Sequence, residues 1–177
     1  ALIKALGGKG KIYIQNVSTS ISTNAQREQG CRSAIQATHG AVTLVGVDYN
    51  DDSSSTARQQ TAAVLQRVND LAGIFGANLF SAEGAAQAIK DANKQGSIEV
   101  ASFDAPEQAI VDLRNGVIDL VIAQKPADMG YTAVEYAVKA LKGETNNLRK
   151  RVVTGYVIIN TNNVNTPEAQ NAIYKSK

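Results

Sequence analysis

Cysteine, histidine and methionine each occur once among these 177 residues, as Cys31, His39 and Met129. A lone cysteine cannot close an internal disulfide, so cysteine usage leaves the redox compartment open. Cys31 falls on the inner face of an expected helix, where a small core residue is a better reading than a nucleophile. His39 sits beside Gly40 at the end of that helix, a position for a C-terminal cap and not for acid–base catalysis. No spacing of Cys, His, Asp or Glu fits a metal site, and neither metal nor cofactor is expected. Charge is sparse as well. Eighteen Lys and Arg stand against sixteen Asp and Glu, for a net charge of +2, and the basic residues are scattered. Without a basic stripe the chain is not a dedicated nucleic-acid binder. The best candidate for a membrane span, VIDLVIA (117–123), is interrupted by Asp119. GGKG (7–10) precedes a strand, whereas a phosphate-cradling loop follows one and opens a helix. A carboxylate pair such as Asp52 and Asp104 could serve acid–base chemistry, but nothing singles it out, and no enzyme is expected.

What is present is a globular composition, 44% apolar and 19% charged, in a chain long enough for a real core. Strand-like and helix-like stretches alternate. ALIKAL (1–6) reads as the last turns of a helix that begins upstream and is ended by Gly7 and Gly8, so the chain is expected to be a fragment. KIYIQNV (11–17) reads as a strand. A helix over 24–40 follows, with Cys31, Ala34, Ile35 and Thr38 at helical spacing and Gly40 as its stop. AVTLVGVDY (41–49) is a strand. Asp52 and the serine run then offer caps for a helix over 53–68 that turns Ala57, Ala63, Val64 and Val68 inward. LAGIFGAN (71–78) leads to a helix over 81–95 capped by Ser81. IEVASFD (98–104) leads through Pro106, as first helical residue, into 106–116. DLVIAQKPADMG (119–130) begins as a strand and ends as a helix over 127–142, and VVTGYVIIN (152–160) closes the series before a short helix after Pro167. Several strands are continuous apolar runs, the mark of burial on both faces. The fold class is therefore α/β, a doubly wound parallel sheet flanked by helices.

In such sheets ligands bind beyond the carboxyl ends of the strands. The residues there share a character. Arg27 lies in the helix after the first strand, Asp52 follows the second, and Asn78, Asp104 and Gln124 end the next three. Each carries a planar group able to engage two neighbouring oxygens, which suits vicinal hydroxyls. Asn and Asp at such places also serve as turn formers and helix caps, and Asp104, two residues before Pro106, is an obvious cap candidate.

The texts NAQREQG, FGANLFSAEGAAQAIK, VASFDAPEQAI, LRNGVIDLVIAQKPADMG and TGYVIINTNNVNTPEAQ are spread in order over residues 24–170. Together they resemble the periplasmic sugar-binding proteins of the ribose-binding type, solute receptors of ABC importers, in their C-terminal lobe. The resemblance implies sugar contacts at Arg27, Asn78, Asp104 and Gln124, with a further one near Asp52, where the ribose-binding protein itself often has an aromatic. It implies three parts: residues 1–124 as a sugar-binding lobe, 125–151 as a segment crossing to an N-terminal lobe, and 152–177 as a return strand and final helix. Gln124, Lys125, Pro126 and Thr154 would then form the hinge, with Pro126 restraining the crossing. Expected partners are a small sugar and a membrane permease, and the expected location is periplasmic or extracellular, lipoprotein-anchored in a Gram-positive source. The effector-binding core of a lactose-repressor-type regulator shares the fold and is the alternative reading. The helix over 127–142 carries an apolar stripe of Ala133, Val134, Ala137, Val138 and Leu141. In the isolated chain this stripe is expected to drive self-association, or to be hidden by the segment folding back on itself.

Overall fold

A computed structural model describes residues 1–175. After a short α1 (Leu2–Ala5), β1 (Gly10–Asn16), α2 (Ser22–Gln36), β2 (Val42–Tyr49), α3 (Ser54–Arg67), β3 (Leu71–Gly76) and α4 (Leu79–Asp91) alternate. They continue through β4 (Glu99–Phe103), α5 (Glu107–Arg114), β5 (Leu120–Gln124), α6 (Pro126–Leu141), β6 (Tyr156–Ile159) and α7 (Pro167–Ala172). The six strands form one sheet in the order β2-β1-β3-β4-β5-β6. The first five are parallel, and β6 joins the edge antiparallel to β5, pairing Gln124 with Tyr156 and Val121 with Ile159. The expected α/β sheet is thus present, with one antiparallel edge strand.

Both faces of the sheet are covered, which accounts for the continuous apolar runs. Ile12, Ile14, Phe75 and Ala101 face α1 and α2, together with Leu2 and Ile35. Tyr13, Ile74, Val100 and Val121 face the opposite layer of α3, α4, α5 and α7. The charge that breaks VIDLVIA is accommodated at a strand end. Asp119 accepts the Val100 backbone N–H at 2.7 Å, and burial raises its carboxyl above the ordinary value.

Several local expectations need correction. Ala63 faces solvent, and the inward positions of α3 are Ala57, Thr61, Val64 and Leu65. α3 is capped by Ser53, whose side chain accepts from the Thr56 N–H. α4 begins at Leu79 and its cap is Asn78, which accepts from the Ser81 N–H at 3.0 Å, so Ser81 lies inside the helix. Pro106 stands at the cap position of α5, one residue outside it. α2 ends at Gln36, with Ala34 exposed and His39 at φ 51 in the turn that follows. The final strand is four residues, not nine. Gly155, at φ 78, turns the chain just before it, and 152–155 has no ladder partner.

α3 and α4 approach so closely that a side chain at Gly84 would collide with the Ser54 carbonyl and the Ala57 methyl. Those helices begin at the loops carrying Asp52 and Asn78, so their spacing sets the distance between two candidate site residues. Gly84→Ala is expected to cost about 1–3 kcal/mol by overpacking. A thermal unfolding midpoint equal to that of the unsubstituted protein would show that the contact yields freely.

Candidate functional site

The strand order reverses direction between β1 and β3, with β2 to one side and β4 and β5 to the other. The crevice above the carboxyl ends of β1 and β3 is where an open α/β sheet receives a ligand. Arg27 spans it. Its guanidinium donates to the Ala77 carbonyl at 2.9 Å, beyond β3, and lies over the Phe103 ring at 3.7 Å from the centroid, at the end of β4. Burial lowers the Arg27 pKa, and the charge of Asp104 together with Tyr174 opposes that shift. The arginine is thus fixed by a carbonyl and an aromatic face, leaving part of its fork for an outside acceptor.

α2, which carries Arg27, is seated by a buried polar cluster. Glu28 accepts from Asn16 Nδ2 at 2.9 Å, Tyr49 Oη at 3.0 Å and Arg32 Nε at 2.8 Å. Asn24 Nδ2 donates to Asn16 Oδ1 at 3.2 Å. Burial pushes the Glu28 carboxyl up, but the bonds from Arg32, Asn16 and Tyr49 outweigh it and hold the group below its ordinary 4.5. The cluster ties the ends of β1 and β2 to the helix one residue from Arg27.

Asp104 and Gln124 end adjacent strands and meet directly. Gln124 Nε2 donates to Asp104 Oδ1 at 2.6 Å, and the Tyr174 hydroxyl donates to the same oxygen at 3.0 Å. The Gln124 backbone N–H donates to the Tyr174 hydroxyl at 3.1 Å. Asp104 is not a helix cap. It stands at φ 77, a left-handed conformation sparsely populated outside glycine and common at ligand-clamping positions. This turns the chain off β4 while the carboxylate stays at the strand end.

Asn78 and Asp52 form the other pair. Asn78 caps α4 with its carbonyl oxygen and donates its amide to Asp52 Oδ1 at 2.6 Å. Asp52 is exposed and also left-handed, at φ 63. The same loop is anchored by Asn50, buried, whose amide donates to Ser81 Oγ at 2.7 Å. Since Arg27 holds the carbonyl of Ala77, next to Asn78, all five candidate residues lie along one edge of the sheet. Arg27, Asp104 and Gln124 form its centre, and Asp52 with Asn78 its flank.

Sequence reading missed Phe103 and Tyr174. Phe103 sits in the VASFD text, one residue before Asp104, but nothing marks it as a platform for Arg27. Tyr174 follows the last helix and carries no motif. Of the hinge residues, Gln124 belongs to β5 and Lys125 stands before α6 at φ −114 and ψ 71, outside the helical region as a residue before proline should be. Pro126 is the first helical residue, and Thr154 is half-buried beside the α6 residues Met129 and Tyr136. Cys31 lines an apolar trough with Phe75 and Ile158, and burial lifts its thiol to about 11, which leaves no reactive thiolate at neutral pH. Among the described residues no group of three His, Cys, Asp or Glu could hold a metal ion, and no helix is long and apolar enough to cross a membrane.

The profile of the family described as "Periplasmic binding protein domain" matches residues 1–145. The D-allose-binding periplasmic protein of Escherichia coli K12 is 29% identical over 142 residues, which are 80% of this chain and 45% of that protein. The ribose import binding protein of Haemophilus influenzae is 29% identical over 143 residues, 81% of this chain and 48% of that protein. Among solved structures, an ABC transporter solute-binding protein of Agrobacterium vitis bound to α-D-tagatopyranose superimposes with a TM-score of 0.94 at 40% identity. That match covers 99% of this chain and 58% of the other. A second solute-binding protein of the same organism, with bound D-fucose, gives 0.90 at 31% identity over 98% and 59%. The chain thus spans about half the length of the curated relatives it matches.

The Glu28 cluster makes a testable contribution. Its carboxyl lies below 4.5 when folded, so the stabilisation is fully present above that value and is lost as pH falls below it. Glu28→Gln should lower the unfolding midpoint at neutral pH, and the gap to the unsubstituted protein should close below pH 4.5. Melting curves separated by a constant gap across that range would contradict the assignment.

Proposed function

The chain belongs to the periplasmic binding protein family, and from that premise we propose that it is the sugar-holding lobe of a solute receptor serving an ABC importer. The observation that carries this reading is the Asp104 carboxylate, gripped by Gln124 and Tyr174 beside the Arg27 guanidinium at the strand ends. A carboxylate, a guanidinium and amides in one crevice offer acceptors and donors to adjacent hydroxyls, each charge-assisted bond contributing about 1.5–3 kcal/mol. Sugar is the ligand class in the names of the relatives, and they are transport receptors and not enzymes. The activity proposed here is accordingly non-catalytic: reversible capture, followed by presentation to a permease, outside the cytoplasmic membrane. The location proposed with it is the periplasm or, in a Gram-positive source, the cell surface through a lipid anchor.

The proposed division of the chain follows the sheet. Residues 1–124 carry the five parallel strands and the site. Residues 125–151 leave β5 as α6, and the third part, 152–177, returns as β6 beside β5 and α7 within its described residues, 176 and 177 lying outside them. None of the α6 residues is buried. The stretch 149–154 runs along the side of α6 carrying Met129 and Tyr136, yet Tyr131 is 74% exposed, Val134 65% and Leu141 89%. We assign this stripe to contact with a second lobe of the receptor, with the hinge at Gln124, Lys125, Pro126 and Thr154. Closure of two lobes would strip water from the Asp104 and Arg27 bonds and strengthen them.

Two outcomes are expected. In the full-length protein, Asp104→Asn and Arg27→Ala should each weaken binding of a sugar, found by screening D-tagatose, D-fucose, D-allose and D-ribose, by roughly 10- to 100-fold. Circular dichroism should stay unchanged. Calorimetric affinities unaltered in both variants would remove these residues from the site. The 177-residue chain alone should sediment as a dimer or larger at tens of micromolar (an order-of-magnitude choice for a weak apolar interface). Val138→Glu with Leu141→Glu should return it to monomer. A monomeric unsubstituted chain would dismiss the stripe as a docking face.

A further inference from the structure

Tyr174 lies in the tail beyond α7, outside every motif of the sequence, yet both its backbone and its hydroxyl are tied to the site. Its backbone N–H donates to the Ala105 carbonyl at 2.9 Å, and the residue bridges to Pro106 in parallel fashion. Its hydroxyl donates to Asp104 Oδ1 and accepts the Gln124 backbone N–H. A phenol has one proton and two lone pairs, so this pattern fixes its orientation completely on the donor side. Ile173 and the Tyr174 ring pack against the core layer of α3, α4, α5 and α7, which gives the tail a firm seat. Asp104 Oδ1 thereby receives two donors, while among the described residues no protein group donates to Oδ2. That second oxygen is the one left to accept from a ligand.

We infer that Tyr174 is a positioning residue for ligand binding: its hydroxyl locks the Asp104 carboxylate to the Gln124 main chain and so aims the free carboxylate oxygen into the crevice. The inference rests on the sugar-receptor reading for the identity of the ligand, but not for the lock itself. The lock also explains how Asp104, held in a left-handed backbone conformation, keeps a defined side-chain direction. Burial, and then the charge of Asp104, push the Tyr174 hydroxyl up to about 12, so the proton stays in place across the physiological range.

Tyr174→Phe keeps the ring and deletes the hydroxyl, and it is tested in the full-length protein. Hydrogen exchange at the single Gln124 amide should accelerate at least tenfold. Affinity for whichever of D-tagatose, D-fucose, D-allose and D-ribose binds the unsubstituted protein should fall about tenfold at an unchanged melting temperature. In Asp104→Asn the Tyr174 titration, followed by tyrosinate absorbance, should move down from its wild-type position. Unchanged Gln124 exchange in Tyr174→Phe overturns the lock. Faster exchange with unchanged affinity overturns the positioning role. If the unsubstituted protein binds none of the four sugars, the sugar-receptor reading fails, and Gln124 exchange alone then decides for or against the lock.

Discussion

The parallel direction of β1, β3, β4 and β5 is the constraint on which the rest of the molecule depends. Parallel strands all finish at the same edge, so whatever residue follows each of them is delivered to one place. They also need helical crossovers on both faces, which is why the strand interiors are largely apolar and flat polar groups gather near the ends where they stop. Asn78, Asp104 and Gln124 are polar because the sheet has ended there. Arg27 reaches the same edge from the first crossover helix, and its hydrogen bond to the Ala77 carbonyl crosses the point where the strand order reverses.

Within that edge, capping and ligand presentation compete for the same side chains. Asn78 resolves the competition by division. Its carbonyl oxygen caps α4, and its amide is directed to Asp52. Asp104 resolves it differently. By adopting φ 77 it leaves capping altogether, and Pro106 takes the position before α5 with no side-chain bond to contribute. The helix therefore starts without a side-chain cap, and the carboxylate is released to meet Gln124 and Tyr174. A conformation that costs on the order of 1–3 kcal/mol persists only when its surroundings hold it. Here the holding groups are the Ile122 carbonyl, which accepts the Asp104 N–H, and the two donors on Oδ1.

Much of this was legible in the sequence, for reasons that are local. Apolar runs closed by Asn, Asp or Gln give strand ends, and the crossovers between them have helical spacing, so fold class and the five site candidates could be written down together. The parts that escaped are those set by distance along the chain. Tyr174 meets Asp104 across 70 positions and Gln124 across 50. Phe103 becomes a platform for Arg27 only when β4 and α2 are brought together. Spacing alone points Ala63 inward, but α4 approaches through Gly84 at Ser54 and Ala57, and the buried line of α3 runs through Ala57, Thr61, Val64 and Leu65 instead. VVTGYVIIN is rich in strand-forming residues along its length, while the left-handed Gly155 decides where pairing begins.

α6 stands apart from this logic. Every other helix longer than one turn places residues in the core, whereas α6 buries none and keeps its valines and Leu141 in water. A stripe of that kind is not explained by the sheet, since none of the α6 residues is buried against it. Nor can it be explained by helix propensity, since isolated helices of this length are marginal without tertiary support. The contact that the described fold supplies is the stretch 149–154 on the side of Met129 and Tyr136, which leaves Tyr131, Val134 and Leu141 exposed. α6 follows directly on β5, so the element that carries the stripe is joined through Lys125 to the strand end whose side-chain amide donates to Asp104.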